Sequence, residues 1–292
     1  MLGKLIKHDF NSLSRVLLPT QLAVIGATII ATAGFAFNMR TNMMASMQGA
    51  SAQFLRFATG FISGMMLIAI MASALLIAFI IFQRFYKNFM CDEGYLTFTL
   101  PVTVNQLLWS KLITAMLWTI ISGLVIFLCV NIFIIFGTSR EHFANFEIYR
   151  QFGEAMRAVF GSLGGKLVLP CIEFVIFIVI SLVFGLLHIY LSLIIGGVVS
   201  QKHKLLAGIG FYFAINIGVG ILASLGQFII SGNMVQNFDL MPSGPIHPAE
   251  AFSMVFNASQ PFIIYNIILT AVLAVGFFVL SHYLLKNKLN LE

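Results

Sequence analysis

Residues 174–201 read FVIFIVISLVFGLLHIYLSLIIGGVVSQ, with no Asp, Glu, Lys or Arg along their length. A helix needs about 20 apolar residues to cross the hydrocarbon core of a bilayer, and this stretch exceeds that. A barrel strand would instead show segments of about 10 residues in strict alternation; here the apolar residues run on without alternating. Working outward, five more stretches are free of charge: 16–39, 57–83, 112–139, 205–238 and 251–285. Each is long enough to span. The chain as a whole is 60% hydrophobic and only 9% charged, against about 25% charged in a soluble domain, and its mean hydropathy is +0.99. These features predict an all-α integral membrane protein with six transmembrane helices, at about 18–37, 57–83, 112–136, 167–199, 205–231 and 261–285, forming a single transmembrane domain over 1–292.

Orientation follows the excess of Lys and Arg in cytoplasmic segments. With the N-terminus inside, ten basic residues lie inside (Lys4, Lys7, Arg15, Arg84, Lys87, Lys111, Lys202, Lys204, Lys286 and Lys288) and six outside (Arg40, Arg56, Arg140, Arg150, Arg157 and Lys166). The inner ten sit on short segments at span ends, so both termini are expected in the cytoplasm and the protein in the plasma membrane. The net charge of +6 is then accounted for by contact with anionic lipid, with no need of nucleic acid. Cys91, Cys129 and Cys171 lack CxxC spacing and read as free thiols. The run Ala31-Thr32-Ala33-Gly34 resembles a signal-cleavage site, but the region before it is long and the uncharged stretch continues to Met39, so a retained span is expected.

Residues 2–17 put Leu2, Leu5, Ile6, Phe10, Leu13, Val16 and Leu17 at helical spacing, with Lys4, Lys7, His8 and Arg15 on the other face. That is the pattern of an amphipathic helix in the membrane interface. The segment 138–166 mixes aromatics with charges and is expected to carry an extracellular interfacial helix. Residues 232–260, with Pro242, Pro245 and Pro248, are expected to form an outer segment of short helices.

Catalytic motifs are absent from the sequence. The nearest approach to a phosphate-binding loop, at Gly165-Lys166, has Phe160 and Leu167 where Gly and Ser or Thr are needed. Asp92 and Glu93 are adjacent and do not share a helix face. No metal-ligand cluster is apparent. Ionisable groups inside a membrane are costly, and each is a functional candidate; Glu173 and His188 are the two here. Glu173 lies about 10 Å along a helix from Lys166 at 1.5 Å per residue. His188 lies deeper, in a stripe with Ser181, Gly185, Ser192 and Gly196. A second stripe holds Tyr212, Asn216, Gly220, Ser224, Gln227 and Ser231. Small and polar residues in such rows let helices approach closely and bond across, so these residues either line a translocation path or form a helix interface.

The longest polar interruption before residue 138 is Arg84–Lys111, RFYKNFMCDEGYLTFTLPVTVNQLLWSK. Thr103-Val104-Asn105-Gln106 has the form of a capping box, and Pro101 ends what precedes it. This predicts a short helix over about 93–100 and a second helix from 103 into the third span. Tyr95, Leu96, Phe98 and Leu100 would be available to dock on a partner or to lie in the lipid interface.

The Asp92-Glu93-Gly94-Tyr95 start, the Leu100-Pro101-Val102-Thr103 turn, the Gln106-Leu107 pair and the closing Ser110-Lys111 resemble the first cytoplasmic loop of type V ABC exporter permeases, the class of drug, antimicrobial-peptide and polysaccharide exporters. The overall plan is similar too. The resemblance implies a permease subunit that carries no cofactor and hydrolyses no nucleotide, with ATP and Mg bound in a separate ABC ATPase, two copies of which pair with two permeases, either identical or related. It further implies that Asp92, Glu93, Gly94, Tyr95, Leu96, Phe98, Leu100, Pro101 and Thr103 form a cytoplasmic coupling helix between spans 2 and 3. The large outer segments fit export of a peptide, drug or lipid-like substrate. Two other classes compete. A secondary transporter or channel needs paired mid-membrane ionisable groups or internal repeats, and a membrane enzyme needs clustered His or carboxylates; the sequence offers Glu173 and His188 alone.

Overall fold

Six long helices carry the chain in the computed structural model: α1 (Leu2–Met43), α2 (Ala50–Met90), α3 (Val104–Gly137), α4 (Val168–Val199), α5 (Lys204–Phe238) and α6 (Pro248–Asn287). The structure describes residues 2–43, 50–90, 94, 99, 101–137, 150–151, 153–154, 157, 160–161, 164, 168–200, 202–238 and 248–287. Its helix side chains are described except at 37–43, 50–52, 55–56, 59, 63, 66–67, 70, 136–137, 232–238 and 248–253. No strand occurs among the described residues. Among the described residues, five helices, α1, α3, α4, α5 and α6, are long and apolar enough to cross a membrane; α2 encloses the uncharged stretch 57–83. Large apolar side chains face outward in quantity, with Phe228 78%, Phe57 72% and Ile30 71% exposed. Water would penalise such a surface, whereas lipid does not. The chain is an all-α multi-pass membrane protein.

Every helix but α4 runs past the bounds expected of its span, α1 and α6 by the most. The amphipathic stretch and the first span form one helix, α1, with Pro19 inside it. Proline cannot donate to the carbonyl four residues back, and the hydroxyl of Thr20 beside it bonds the Leu17 carbonyl at 2.8 Å. Helix α6 starts at Pro248 and contains Pro261, so residues 248–260 are its opening turns, not separate short helices. Proline is well suited to a first helical turn, where its missing N–H is not needed.

The chain divides into two compact units, with boundaries inside α2, between Gln83 and Arg84, and inside α3, between Leu112 and Ile113. The first unit comprises 1–83 and 113–154. Phe10 of α1 stacks on the buried Trp118 of α3, with ring centres 5.0 Å apart. Phe35 meets Phe133 at 5.4 Å. Between them the buried Gln21 amide donates to Ser122 Oγ at 2.6 Å. Interhelical bonds of this kind contribute about 0.6–1.7 kcal/mol within a bilayer. The buried hydroxyls of Thr28 and Thr32 bond back to the carbonyls of Val24 and Thr28, so their burial leaves no hydroxyl unmatched.

The second unit comprises 84–112 and 155–292. Here α4 packs against both α5 and α6. Its half from Leu186 to Gly197 is largely buried, while Val168, Phe174 and Val175 near its start are exposed. At the buried end the α4 and α5 backbones come together at Gly196 and Gly208. A Cβ on Gly196 would fall on the Gly208 backbone, and one on Gly208 would lie 3.0 Å from a Leu193 methyl. The hairpin between them is tight: Ser200 N–H donates to the Gly196 carbonyl at 3.0 Å, and Ser200 Oγ accepts from His203 N–H at 3.2 Å. Farther along, Tyr265 of α6 donates its hydroxyl to the Leu222 carbonyl of α5 at 2.8 Å, into space left by Gly226.

Because the α4–α5 contact is backbone against backbone, Gly196→Ala is expected to cost about 1–3 kcal/mol through overpacking. Gly185→Ala, whose Cβ meets nothing within 4 Å, is the matched control. Thermal unfolding of the two variants in detergent should show a lowered midpoint for Gly196→Ala alone.

Candidate functional site

The ends of the 84–111 segment are built by α2 and α3 and held by α4 and α5. Phe85, in the last turns of α2, lies face to face with Tyr190 of α4, with centres 3.9 Å apart and planes at 8°. The Tyr190 hydroxyl donates to the Lys111 carbonyl of α3 at 3.3 Å. One buried tyrosine therefore grips both sides of the segment. Lys204, the first residue of α5, donates through Nζ to the Met90 carbonyl at 3.3 Å. The last four carbonyls of a helix lack intrahelical donors, and a cation there also suits the helix dipole, so Lys204 caps α2. Trp109 of α3 packs on Phe278 of α6 at 5.1 Å. Phe89, Met90, Leu107, Leu108 and Leu112 are buried in the same region.

Of the expected coupling residues, Gly94 is helical and buried, and Pro101 and Thr103 are exposed. Asp92, Glu93, Tyr95, Leu96, Phe98 and Leu100 lie outside the described residues, as does Cys91. The Thr103 half of the capping box forms: its Oγ1 accepts from Gln106 N–H at 3.3 Å, and its carbonyl accepts from Leu107 N–H at 3.1 Å. Helix α3 accordingly begins at Val104. Cys129 and Cys171 are free thiols.

The polar stripe of α4 divides into two sites. At the exposed end, half-buried Glu173 lines a cavity of about 280 Å³ walled by Phe174, Phe177, Phe256, Phe262 and Asn266. Its carboxylate Oε2 accepts one bond, from Gln260 Nε2 of α6, at 3.0 Å. Among the described residues no cation stands within ion-pair distance of it. Asn266 gives one of its two Nδ2 protons to the Phe262 carbonyl at 2.8 Å, and Gln227 Nε2 of α5 lies 3.5 Å from its Oδ1. Glu173, Gln260, Asn266 and Gln227 thus bring three helices together with polar groups around an apolar cavity.

At the buried end, His188 sits inside an aromatic cluster. Its ring stacks on Tyr212 of α5 at 4.5 Å and 18°, with Phe184 at 5.9 Å and Phe277 of α6 at 5.8 Å. Nε2 is buried without a hydrogen-bond partner. Ser192, also buried, bonds to the Ile189 carbonyl of its own helix at 2.8 Å. His188, Ser192 and Tyr212 therefore belong to a packed helix interface. Ser181 is half-buried between the two sites, whereas Asn216 and Ser224 are exposed on α5. The Ser224 hydroxyl returns to the Ile221 carbonyl at 3.0 Å. Lipid cannot satisfy the Asn216 amide.

Sequence reasoning passes over Tyr190, Gln260 and Asn266. The last two are polar residues in the uncharged stretch 251–285, which is itself a signal. Tyr190 gives none, because its role depends on Phe85 and Lys111, far from it in the chain. A second cavity, of about 340 Å³, lies within the other unit beside Thr20, Gln21, Ser73 and Ser122 and is otherwise lined by apolar residues including Ala23, Ala27 and Ala72. No group of three or more His, Cys, Asp or Glu residues suited to a metal occurs among the described residues.

Comparison with known proteins gives no matching family model, no matching curated protein and no matching solved structure.

The His188 cluster predicts a contrast between two substitutions. His188→Phe keeps the ring stack and removes the unpartnered nitrogen, and should leave stability within about 1 kcal/mol of the parent. His188→Ala opens a hole among three aromatic rings and should cost about 2–5 kcal/mol, read as a fall in the thermal midpoint.

Proposed function

We propose that this chain is the permease subunit of an ATP-driven ABC exporter that moves a peptide, drug or lipid-like substrate outward across the plasma membrane. In this reading α2 supplies a sixth span, both termini are cytoplasmic, and 92–103 is a coupling helix seated in a separate ATPase. Two copies of that ATPase bind ATP and Mg, and a second permease, identical or related, completes the assembly. The amphipathic start of α1 flanks the coupling helix at the lipid surface.

The observation that carries the proposal is the grip of Tyr190 on Phe85 and Lys111. A segment that only lay in the lipid interface would need no such clamp. Force applied to 92–103 by closure of the ATPase would pass through the clamped ends into α4, and through Lys204 into α5. Packed side chains and hydrogen bonds can carry such coupling when the helices have two discrete arrangements. The route differs from one through the second and third spans alone, since the flanks of the segment belong with α4–α6.

One observation favours an ATP-independent secondary transporter or channel: Glu173 is an ionisable side chain at a cavity near the start of a candidate span, and ionisable groups within spans mark ion and proton pathways. The two readings separate on energy source. Reconstituted vesicles should accumulate cargo with ATP and the partner ATPase, and should not do so with an imposed pH gradient alone.

The chain should co-purify with a P-loop ATPase. Glu93→Ala combined with Tyr95→Ala is expected to lower the ATPase retained by at least about tenfold, the loss of roughly 1.4 kcal/mol or more of binding; undiminished retention would sink the coupling role of 92–103. Tyr190→Ala should leave the ATPase bound but cut transport per ATP hydrolysed.

A further inference from the structure

We infer that the Glu173 cavity binds a primary ammonium group carried on an apolar body, such as an amphiphilic amine or the headgroup amine of a lipid. Three observations converge. The first is charge: the Glu173 carboxylate has a single neutral donor, Gln260 Nε2 at 3.0 Å, and an ionised carboxylate can accept about four hydrogen bonds. No cation within the described residues supplies the rest. A buried or half-buried carboxylate with so few partners is costly, and an incoming ammonium relieves that cost.

The second observation is the balance of donors and acceptors. Asn266, on the same wall, uses one of its two Nδ2 protons on the Phe262 carbonyl at 2.8 Å, while its Oδ1 has only the long 3.5 Å approach from Gln227. The cavity therefore offers oxygen acceptors, the charged Glu173 carboxylate first among them, beside one remaining amide proton. A primary ammonium carries three donors and no acceptor, which suits it; a carboxylate or phosphate would meet Glu173 with like charge.

The third observation is the wall. Phe174, Phe177, Phe256 and Phe262 line the same cavity as the carboxylate. Aromatic faces attract cations within about 6 Å of the ring centre and also bury an apolar body. Phe174 is 64% and Phe177 38% exposed, so the cavity is reached from outside the unit. Its volume of about 280 Å³ exceeds a bare metal ion and accommodates an amine with several carbons. Gln260 acts as a positioning residue, holding Oε2 while the other carboxylate oxygen is left for the ligand.

As a statement about cargo, the inference rests on the transport reading; as a statement about binding, it stands on the chain alone. The two are therefore tested apart. Equilibrium dialysis of the full chain in dodecyl maltoside would compare 4-phenylbutylamine, 4-phenylbutanol and 4-phenylbutyrate, which share a shape and differ in charge. The amine should bind saturably, and Glu173→Gln should raise its Kd at least about tenfold, the loss of one charge-assisted contact. Phe177→Ala should raise it several-fold. The alcohol should bind weakly and the anion not at all. Equal binding of amine and anion, or equal binding of the amine by parent and Glu173→Gln, overturns the proposal.

Should Glu173→Gln fail to fold, the parent chain still decides. Dicyclohexylcarbodiimide should modify Glu173, read by peptide mass spectrometry, and 4-phenylbutylamine should slow the modification while 4-phenylbutanol does not. No modification of Glu173, or none that the amine slows, overturns the proposal. Added phosphatidylethanolamine separates the two sources of ammonium: competition with the amine, with none from phosphatidylglycerol, identifies the lipid headgroup as the occupant, and absence of competition identifies a free amphiphilic amine. Loss of ATPase partnership with amine binding intact would remove the export reading and leave the site.

Discussion

The close approach of α4 and α5 at Gly196 and Gly208 is the contact on which the second unit depends. Within a bilayer the hydrophobic effect does not drive helix association, because lipid tails are as apolar as Leu. Packing and hydrogen bonds must do so, and both act only at short range. With no side chain between the backbones, α4 and α5 meet closely enough for the Ser200 turn to close. The same approach fixes Lys204 at the head of α5, where it reaches the Met90 carbonyl. It also brings Tyr212 onto His188, and α6 completes the cluster with Phe277.

From that contact the unit develops along α4 in two directions. Toward the hairpin, side chains are buried and the polar ones are spent on packing: Ser192 bonds its own helix and His188 is surrounded by rings. Toward Val168 the packing loosens. Phe174 and Phe177 are exposed, a cavity opens, and Glu173 stands at it with one neutral partner. A single helix thus offers a rigid end, which holds the flanks of 84–111, and an open end, which holds an ionisable group.

How much of this was legible in the residues depends on the range of the interactions. The Thr103 cap is local, since donor and acceptor lie three residues apart, and the sequence places it correctly. The start of α6 is local too, yet Pro248 reads equally as a loop residue and as the first residue of a helix, and the string of three prolines favours the wrong one. Glu173 and His188 stand out as ionisable residues in apolar surroundings. Their different fates do not: one needs Gln260, the other Tyr212 and Phe277, and nothing near either residue announces these partners.

Composition alone places this chain in a membrane and makes it helical. Uncharged stretches longer than a bilayer is thick leave the backbone no other way to satisfy its hydrogen bonds, and that constraint acts on composition, without regard to tertiary detail. Which polar residues are spent on packing and which stand at a cavity follows from the tertiary contacts. A side chain's chemistry is set by what stands within a few ångströms of it, and in a helical bundle those neighbours come from other helices. Tyr190 is one apolar-stretch aromatic among many until Phe85 and Lys111 close on it, and Glu173 is one carboxylate until a phenylalanine-lined cavity and, among the described residues, the single amide of Gln260 define its surroundings.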